Sequence, residues 1–139
     1  MIKNYYYLTA GVLAILFAFT HAWNGQTAVL PMLNAETLDV NTRATFFYVW
    51  HIISAENFIF GTAFLFMAFY KDLSKVRFAA WMIGIIMIVR WLVIFGSTLR
   101  KDANGLKGIL VDSVVILVYT GLIVLGTRVK DEIPVKKQK

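Results

Sequence analysis

The sequence predicts an all-α integral membrane protein, an up-and-down bundle of four helices with both termini in the cytoplasm. Of its 139 residues, 59% are hydrophobic and only 16% are charged, and the mean hydropathy is +0.68. An average soluble domain is about 45–50% apolar and about 25% charged. One soluble core of this length cannot bury so many apolar side chains, which excludes an ordinary soluble globule. Cys is absent, which also excludes disulfides, thiolate metal sites and cysteine nucleophiles.

Four segments are long enough to cross a bilayer, which takes about 20 mainly apolar residues. They cover residues 5–23, 44–70, 78–99 and 108–127. Because they leave few residues for a soluble domain, residues 1–139 are predicted to form a single domain. The first span imitates a signal peptide, with Lys3 before it and Thr20-His21-Ala22 at its end. Trp23 follows directly and argues against cleavage, so this helix is expected to be retained.

Lysine and arginine are unevenly distributed around the spans, and this distribution predicts the orientation. Nine of the 14 precede the first span, lie between the second and third, or follow the fourth. Four lie in the other two connections, and Arg90 lies inside the third span. Both termini are therefore expected on the cytoplasmic side of a bacterial inner (plasma) membrane. The charge of +6, with the tail Lys136-Lys137-Gln138-Lys139, predicts contact with anionic lipid, and no motif indicates nucleic acid.

Aromatic residues cluster at the ends of the spans, a distribution typical of the belts that membrane proteins place at the lipid–water interface. The cytoplasmic belt is expected to contain Tyr5, Tyr6, Tyr7 and Tyr70, and the outer belt Trp23, Tyr48 and Trp50.

The connection between the first two spans, residues 24–43, is long and partly apolar. Asn24-Gly25 predicts the end of the first helix, and Asp39 or Asn41 is expected to cap the second. Outer loops of this length are often lids or binding elements. The alternative is a connector that lies in the interface.

Five ionisable side chains lie within the spans, where such groups are costly and usually face the bundle interior. They are His21, His51, Glu56, Arg90 and Asp112. Counted at 1.5 Å per residue from the helix ends, His21, His51 and Asp112 fall in the outer half of the bilayer. Glu56 and Arg90 fall near the middle. The sequence therefore predicts a polar chamber, open to the outside, above an apolar inner half.

Helix periodicity indicates which faces line this chamber. In the first span, Ala10, Ala14, Ala18 and Ala22 recur every four residues, which predicts a closely packed face. His21 borders that face. In the second span, a stripe of small and polar residues that includes Thr45, Tyr48 and Ala55 is expected to face inward. Tyr48, Asn57 and Tyr119 are expected to support the ionisable groups.

Each ionisable group also has a structural interpretation. Glu56 and Arg90 are expected to touch, either as a structural ion pair or as the resting state of a proton- or anion-binding site. Asp112 lies near a helix N-terminus, where its charge is favourable without any chemistry. The two histidines are either relay residues or neutral interior residues.

These residues predict that the protein binds a small ligand or protons in the chamber, for transport or sensing. One alternative is a redox subunit in which His21 and His51 hold a haem, or hold a transition metal with Glu56 or Asp112 as third ligand. No cofactor is favoured. The other alternative is a non-catalytic accessory subunit of a larger membrane complex or homo-oligomer. Hydrolase, Walker and dinucleotide-binding motifs are absent from the sequence, which leaves open whether the protein is an enzyme.

Overall fold

A computed structural model of the chain describes residues 1–34 and 38–130, and all regular structure in these ranges is helical. Four α-helices follow one another: α1 (Tyr5–Asn24), α2 (Val40–Phe69), α3 (Leu73–Lys101) and α4 (Leu110–Thr127). All four are long and apolar enough to cross a membrane. The predicted all-α chain with four candidate spans is therefore confirmed. The tail expected to contact anionic lipid lies outside the described residues.

The chain divides into two compact units. The hairpin unit, Ala10–Leu65, contains most of α1 and most of α2. The terminal unit, Met1–Thr9 with Phe66–Lys139, contains the start of α1, the end of α2, and helices α3 and α4. The single domain and the up-and-down order of the bundle stay predictions.

In the hairpin unit, α1 and α2 approach closely at two glycines. A methyl group on Gly11 would lie 2.9 Å from the Leu65 side chain, and one on Gly61 would lie 2.8 Å from Ile15. Only glycine permits this approach, as small residues do in membrane helices generally. Gly11, Ile15 and Gly25 of the first part of the chain contact Leu65, Gly61 and Trp50, respectively. Later residues of the first segment thus meet earlier residues of α2, so α1 and α2 are antiparallel. Ala10, Ala14 and Ala18 are buried, as the alanine repeat predicted.

The buried face of α2 differs from the predicted one. It carries Ser54, Gly61, Phe64 and Ala68. Thr45, Tyr48 and Ala55, from the predicted stripe, are exposed, and the Tyr48 hydroxyl donates to Thr45 Oγ1 at 3.4 Å. Thr62 and Ala63, which the predicted stripe also contains, are half-buried. The expectation that this stripe faces inward was therefore wrong for Thr45, Tyr48 and Ala55. Gly61 must face α1, because Ile15 packs against it. Successive residues of a helix are about 100° apart around its axis, so this one contact fixes which face of α2 is buried.

In the terminal unit, Asn4 joins three helix ends. Its side chain is 1% exposed. Its Oδ1 accepts from the Tyr7 amide at 3.1 Å, which caps α1, and its Nδ2 donates to the Gly126 carbonyl at 2.8 Å near the end of α4. The amides of Lys3 and Asn4 both donate to the Ala68 carbonyl at the end of α2. Helix-terminal groups that would otherwise lack partners are thus satisfied.

Gly126 makes room for the ring of Tyr7, because a methyl group at position 126 would overlap that ring. Tyr7 is 1% exposed, so its ring packs inside the terminal unit, and its place in the cytoplasmic belt stays a prediction. We expect Gly126→Ala to lower the free energy of unfolding by about 1–2 kcal/mol through overpacking. Gly121 in the same helix has open space around its Cβ position. Gly121→Ala should therefore be neutral or stabilising, and equal destabilisation by both variants in thermal unfolding would contradict the packing described.

Asp39 begins α2, as one of the two predicted caps. Its Oδ1 accepts from the amides of Asn41 and Thr42 at 2.9 and 3.0 Å, and the Thr42 hydroxyl donates to its Oδ2. The side-chain hydrogen bond from Thr42 leads the interactions that hold the pKa of Asp39 below its usual value. The cap on Asp39 is confirmed. It fixes where the chain re-enters a helix after the first connection.

Candidate functional site

The end of α1 departs from α-helical geometry. After Asn24, the chain continues as a π-helical turn, Gly25–Val29, and then as a 3-10 turn, Leu30–Asn34. The Leu30 amide donates to the Gly25 carbonyl five residues earlier. Asn24-Gly25 therefore ends the α-helix as predicted, but the chain remains helical beyond it. π-helical turns are rare in proteins, and many of those that occur lie at functional sites.

Trp50 of α2 packs against this turn. Its indole lies so close to Gly25 that a methyl group there would overlap the ring. Its Nε1 donates to the His21 carbonyl at 2.9 Å, a group of the last turns of α1. The His21 imidazole stacks on the indole, with ring centroids 4.3 Å apart and planes 5° apart. Trp50 is thus held by three contacts and is half-buried.

His51 is the second histidine at this end of the hairpin unit. The Gln26 Nε2 atom lies 2.8 Å from its Nε2 atom, and the edge of its ring contacts Phe47 at 4.6 Å between centroids. An amide nitrogen only donates, so in this arrangement the Nε2 atom of a neutral His51 is the acceptor. A proton arriving at Nε2 would require the Gln26 amide to turn and present its oxygen.

A cleft of about 480 Å³ lies beside this pair. Its walls include the polar side chains of Gln26 and Arg43 and the apolar side chains of Leu30, Leu33, Val40 and Phe47. Gln26 and Phe47 both also contact His51, so the imidazole adjoins the cleft. We call Gly25, Gln26, Trp50, His51 and this cleft the hairpin-end site. It offers one fixed positive charge and one amide against mainly apolar walls.

The structure places the other predicted site residues as follows. Glu56 and Asn57 are half-buried in α2. Arg90 is half-buried in α3 and interacts electrostatically with the buried Tyr119 of α4. Asp112 is exposed in the first turn of α4, where a carboxylate is favourable near the helix N-terminus.

Two expectations about these residues remain open. His21 and His51 lie at the same end of the hairpin unit, as predicted. Glu56 belongs to the hairpin unit, whereas Arg90 and Asp112 belong to the terminal unit. Contact between Glu56 and Arg90, and a single chamber that contains all five ionisable groups, therefore stay predictions.

The cofactor alternatives gain no support from this geometry. Within residues 1–34 and 38–130, no group of three or more His, Cys, Asp or Glu side chains is arranged to hold a metal ion. Bis-histidine haem ligation needs a ring nitrogen of each histidine on the iron. The Nε2 atom of His51 is hydrogen-bonded to the Gln26 side chain, and the Trp50 indole covers one face of the His21 ring. Haem or metal binding stays an untested prediction.

Sequence reasoning missed Gly25, Gln26, Arg43 and the internal role of Trp50. A signal was present in the first connection, where Arg43 is the one basic residue and Gln26 directly follows the helix stop. Trp50 also immediately precedes His51. Without the course of the chain after Asn24, nothing indicated that these residues converge.

Large apolar side chains are exposed on all four helices, including Phe19, Phe46, Phe66, Phe78 and Val118. Such extensive exposed apolar surface is expected of helices that contact lipid or partner proteins. Contact with lipid and docking into a larger complex would each cover this apolar surface. The surface does not by itself favour the accessory-subunit alternative.

Comparison with known proteins found no family model, no curated protein and no solved structure that matches this chain. The geometry and chemistry of the hairpin-end site therefore carry the functional conclusion.

Proposed function

We propose that this chain is an integral membrane protein that binds a small amphipathic ligand with an anionic group at the hairpin-end site. The supporting observation is the cleft that joins the Arg43 guanidinium and the Gln26 amide to apolar walls. Small-molecule sites are typically concave and mainly apolar, with a few placed polar groups that orient the ligand. The cleft has this composition.

Each wall has a defined role in binding. Arg43 presents a planar, permanently charged fork that suits a carboxylate or phosphate. Leu30, Leu33, Val40 and Phe47 cover the apolar part of the ligand. Gln26 provides a hydrogen bond whose direction depends on the protonation state of His51.

Ligand binding is coupled to a proton through the Gln26–His51 hydrogen bond. With His51 neutral, the amide nitrogen of Gln26 donates to the imidazole. When Nε2 takes a proton, the amide must turn, so that its NH₂ group is released toward other acceptors. The added positive charge and the released donor both favour an anion in the cleft. His51 then serves the proton-binding role that the sequence predicted, with Gln26 as its link to the ligand.

The proposed topology completes this function. It is an up-and-down bundle with both termini in the cytoplasm of a bacterial plasma membrane, which places the hairpin-end site outside. The nine-to-four division of basic residues supports it.

Single cysteines test the topology, and the chain has no native cysteine that would interfere. Met32 is 77% exposed in the first connection. In intact cells, a membrane-impermeant maleimide should label Met32→Cys and leave Gln138→Cys unlabelled until the membrane is opened. The reverse pattern would overturn both the orientation and the external position of the site.

Binding is tested with a dibrominated fatty acid, which carries a carboxylate and quenches tryptophan fluorescence. Replacing Trp23, Trp81 and Trp91 with Phe leaves Trp50, beside the site, as the sole reporter. Quenching of the purified protein should saturate. Arg43→Gln should weaken it roughly tenfold to hundredfold, because hydrogen bonds to charged groups contribute about 1.5–3 kcal/mol.

The matched control is Arg100→Gln, which removes an arginine at the end of α3 that does not line the cleft. This variant should bind like the parent protein. Quenching that rises without saturation, or equal weakening by both arginine variants, would mean partition into detergent and would overturn the proposal.

A further inference from the structure

One wall of the cleft is formed by a part of the chain that is not α-helical. Leu30, Pro31 and Leu33 line the cleft, and they directly follow the π-helical turn Gly25–Val29. That turn is closed by the hydrogen bond from the Leu30 amide to the Gly25 carbonyl, five residues earlier. An α-helical turn closes over four residues, so the π-helical turn contains one extra residue.

The extra residue decides which side chains reach the cleft. Successive residues of an α-helix lie about 100° apart around the axis. If the chain continued as an α-helix after Asn24, the residues beyond the turn would be rotated by about that angle. Leu30, which is 8% exposed, and Leu33 would then turn away from the cleft that they share with Phe47. The shape of the cleft therefore depends on the π-helical turn.

Pro31 is the residue that prevents an α-helix at this point. Proline lacks the amide hydrogen, and within an α-helix its ring clashes with the carbonyl four residues earlier, which here belongs to Thr27. In the structure, Pro31 is the second residue of the 3-10 turn Leu30–Asn34. The first residues of a helical segment donate to no carbonyl of that segment, so a proline is tolerated there.

Gly25 is the other residue near the turn that disfavours a helix. Glycine does so about a third as strongly as proline, and the φ angle of Gly25 is not positive, so its backbone conformation is open to any residue. The Trp50 indole occupies the space that a side chain at position 25 would take. Gly25 therefore makes room for Trp50, and the departure from α-helical geometry is assigned to Pro31.

We propose that Pro31 is a positioning residue of the hairpin-end site: by excluding an α-helical turn, it retains the extra residue that directs Leu30 and Leu33 into the cleft. Pro31 acts through these two leucines. Gln26, at the start of the turn, and His51, on α2, keep their contact without it. This inference rests on the proposed function, since the cleft is the binding site named there.

The first test is binding of the dibrominated fatty acid to the purified full-length protein with Trp50 as sole tryptophan. Pro31→Ala should weaken saturable quenching at least tenfold, since each apolar side chain withdrawn from a ligand costs roughly tenfold or more. Its thermal midpoint should equal or exceed that of the parent, because proline is the least favourable residue in a helix. The matched control is Pro134→Ala, at the only other proline of the sequence, which should bind like the parent.

Removing Ala28 from the Pro31→Ala protein separates positioning from direct contact between Pro31 and the ligand. Ala28 is exposed in the turn and does not line the cleft. Without it, an α-helical turn brings Leu30 and Leu33 back to their original places, so binding should return to that of the parent. Parent-like binding by Pro31→Ala, or a loss that removal of Ala28 does not restore, would overturn the proposal.

A cross-linking test gives the same information without a ligand. Leu33 and Phe47 both line the cleft, and the chain has no native cysteine. With Leu33→Cys and Phe47→Cys, a short bismaleimide should join the two cysteines when Pro31 is present, fail to join them in Pro31→Ala, and join them again once Ala28 is removed. Equal cross-linking in the three proteins would overturn the positioning role. If this pattern appears but quenching of the parent never saturates, the positioning role is supported and the proposed function alone is overturned.

Discussion

Alanine at position 25 will lower the free energy of unfolding by about 2–3 kcal/mol and abolish saturable binding at the hairpin-end site. The new methyl group would overlap the Trp50 indole. The indole cannot easily move away, because it stacks on the His21 ring and donates a hydrogen bond to the His21 carbonyl. Overpacking typically lowers the free energy of unfolding by about 1–3 kcal/mol. We expect a value in the upper half of this range, because the neighbouring side chains cannot shift. Displacing Trp50 also disturbs its neighbour His51, and with it the contact to Gln26.

Two measurements check this expectation. Thermal unfolding in mild detergent gives the stability, and fluorescence of a protein with Trp50 as sole tryptophan reports the loss of the stack. The control is Gly96→Ala in α3, where the added methyl group has no neighbour within 4 Å. A Gly25→Ala protein with unchanged fluorescence and control-like stability would show that Trp50 does not pack on this turn.

Alanine at position 4 will lower the free energy of unfolding by about 2–3 kcal/mol. Loss of an asparagine N-cap costs about 1 kcal/mol. Loss of the buried hydrogen bond from Asn4 Nδ2 to the Gly126 carbonyl adds about 1–2 kcal/mol. The two bonds come from one side chain that is 1% exposed, so no water replaces them readily. The loss should appear as a lower midpoint in thermal unfolding.

Two further variants separate the contributions at this position. Asn4→Ser keeps an oxygen able to cap α1 but cannot reach Gly126 as the amide does, so its stability should be intermediate. Asn104→Ala removes an exposed asparagine amide from the turn between α3 and α4 and should have little effect. If Asn4→Ala and Asn104→Ala have the same midpoint, Asn4 does not join the helix ends.

The four helices could be predicted because each depends mainly on local sequence. A run of apolar residues of membrane length has few alternatives, since backbone groups in lipid must be satisfied within the helix. The cap at Asp39 is equally local, because its carboxylate reaches amides only two and three residues ahead. The burial of Ala10, Ala14 and Ala18 follows from their four-residue spacing. This spacing places them on one face of α1 whichever side chains pack against that face.

The sequence by itself therefore determined the all-α class, the four helices long and apolar enough to cross a membrane, one helix cap and the close-packed alanine face. Only the tertiary structure decided the rotation of α2, the burial of Tyr7 and the course of the chain after Asn24. It also decided the meeting of Gln26 and His51, 25 residues apart. The physical reason is that these features depend on whether a glycine in one helix can receive a side chain from another. Gly61, Gly126 and Gly25 look alike in sequence, and their partners Ile15, Tyr7 and Trp50 are specified only by long-range packing.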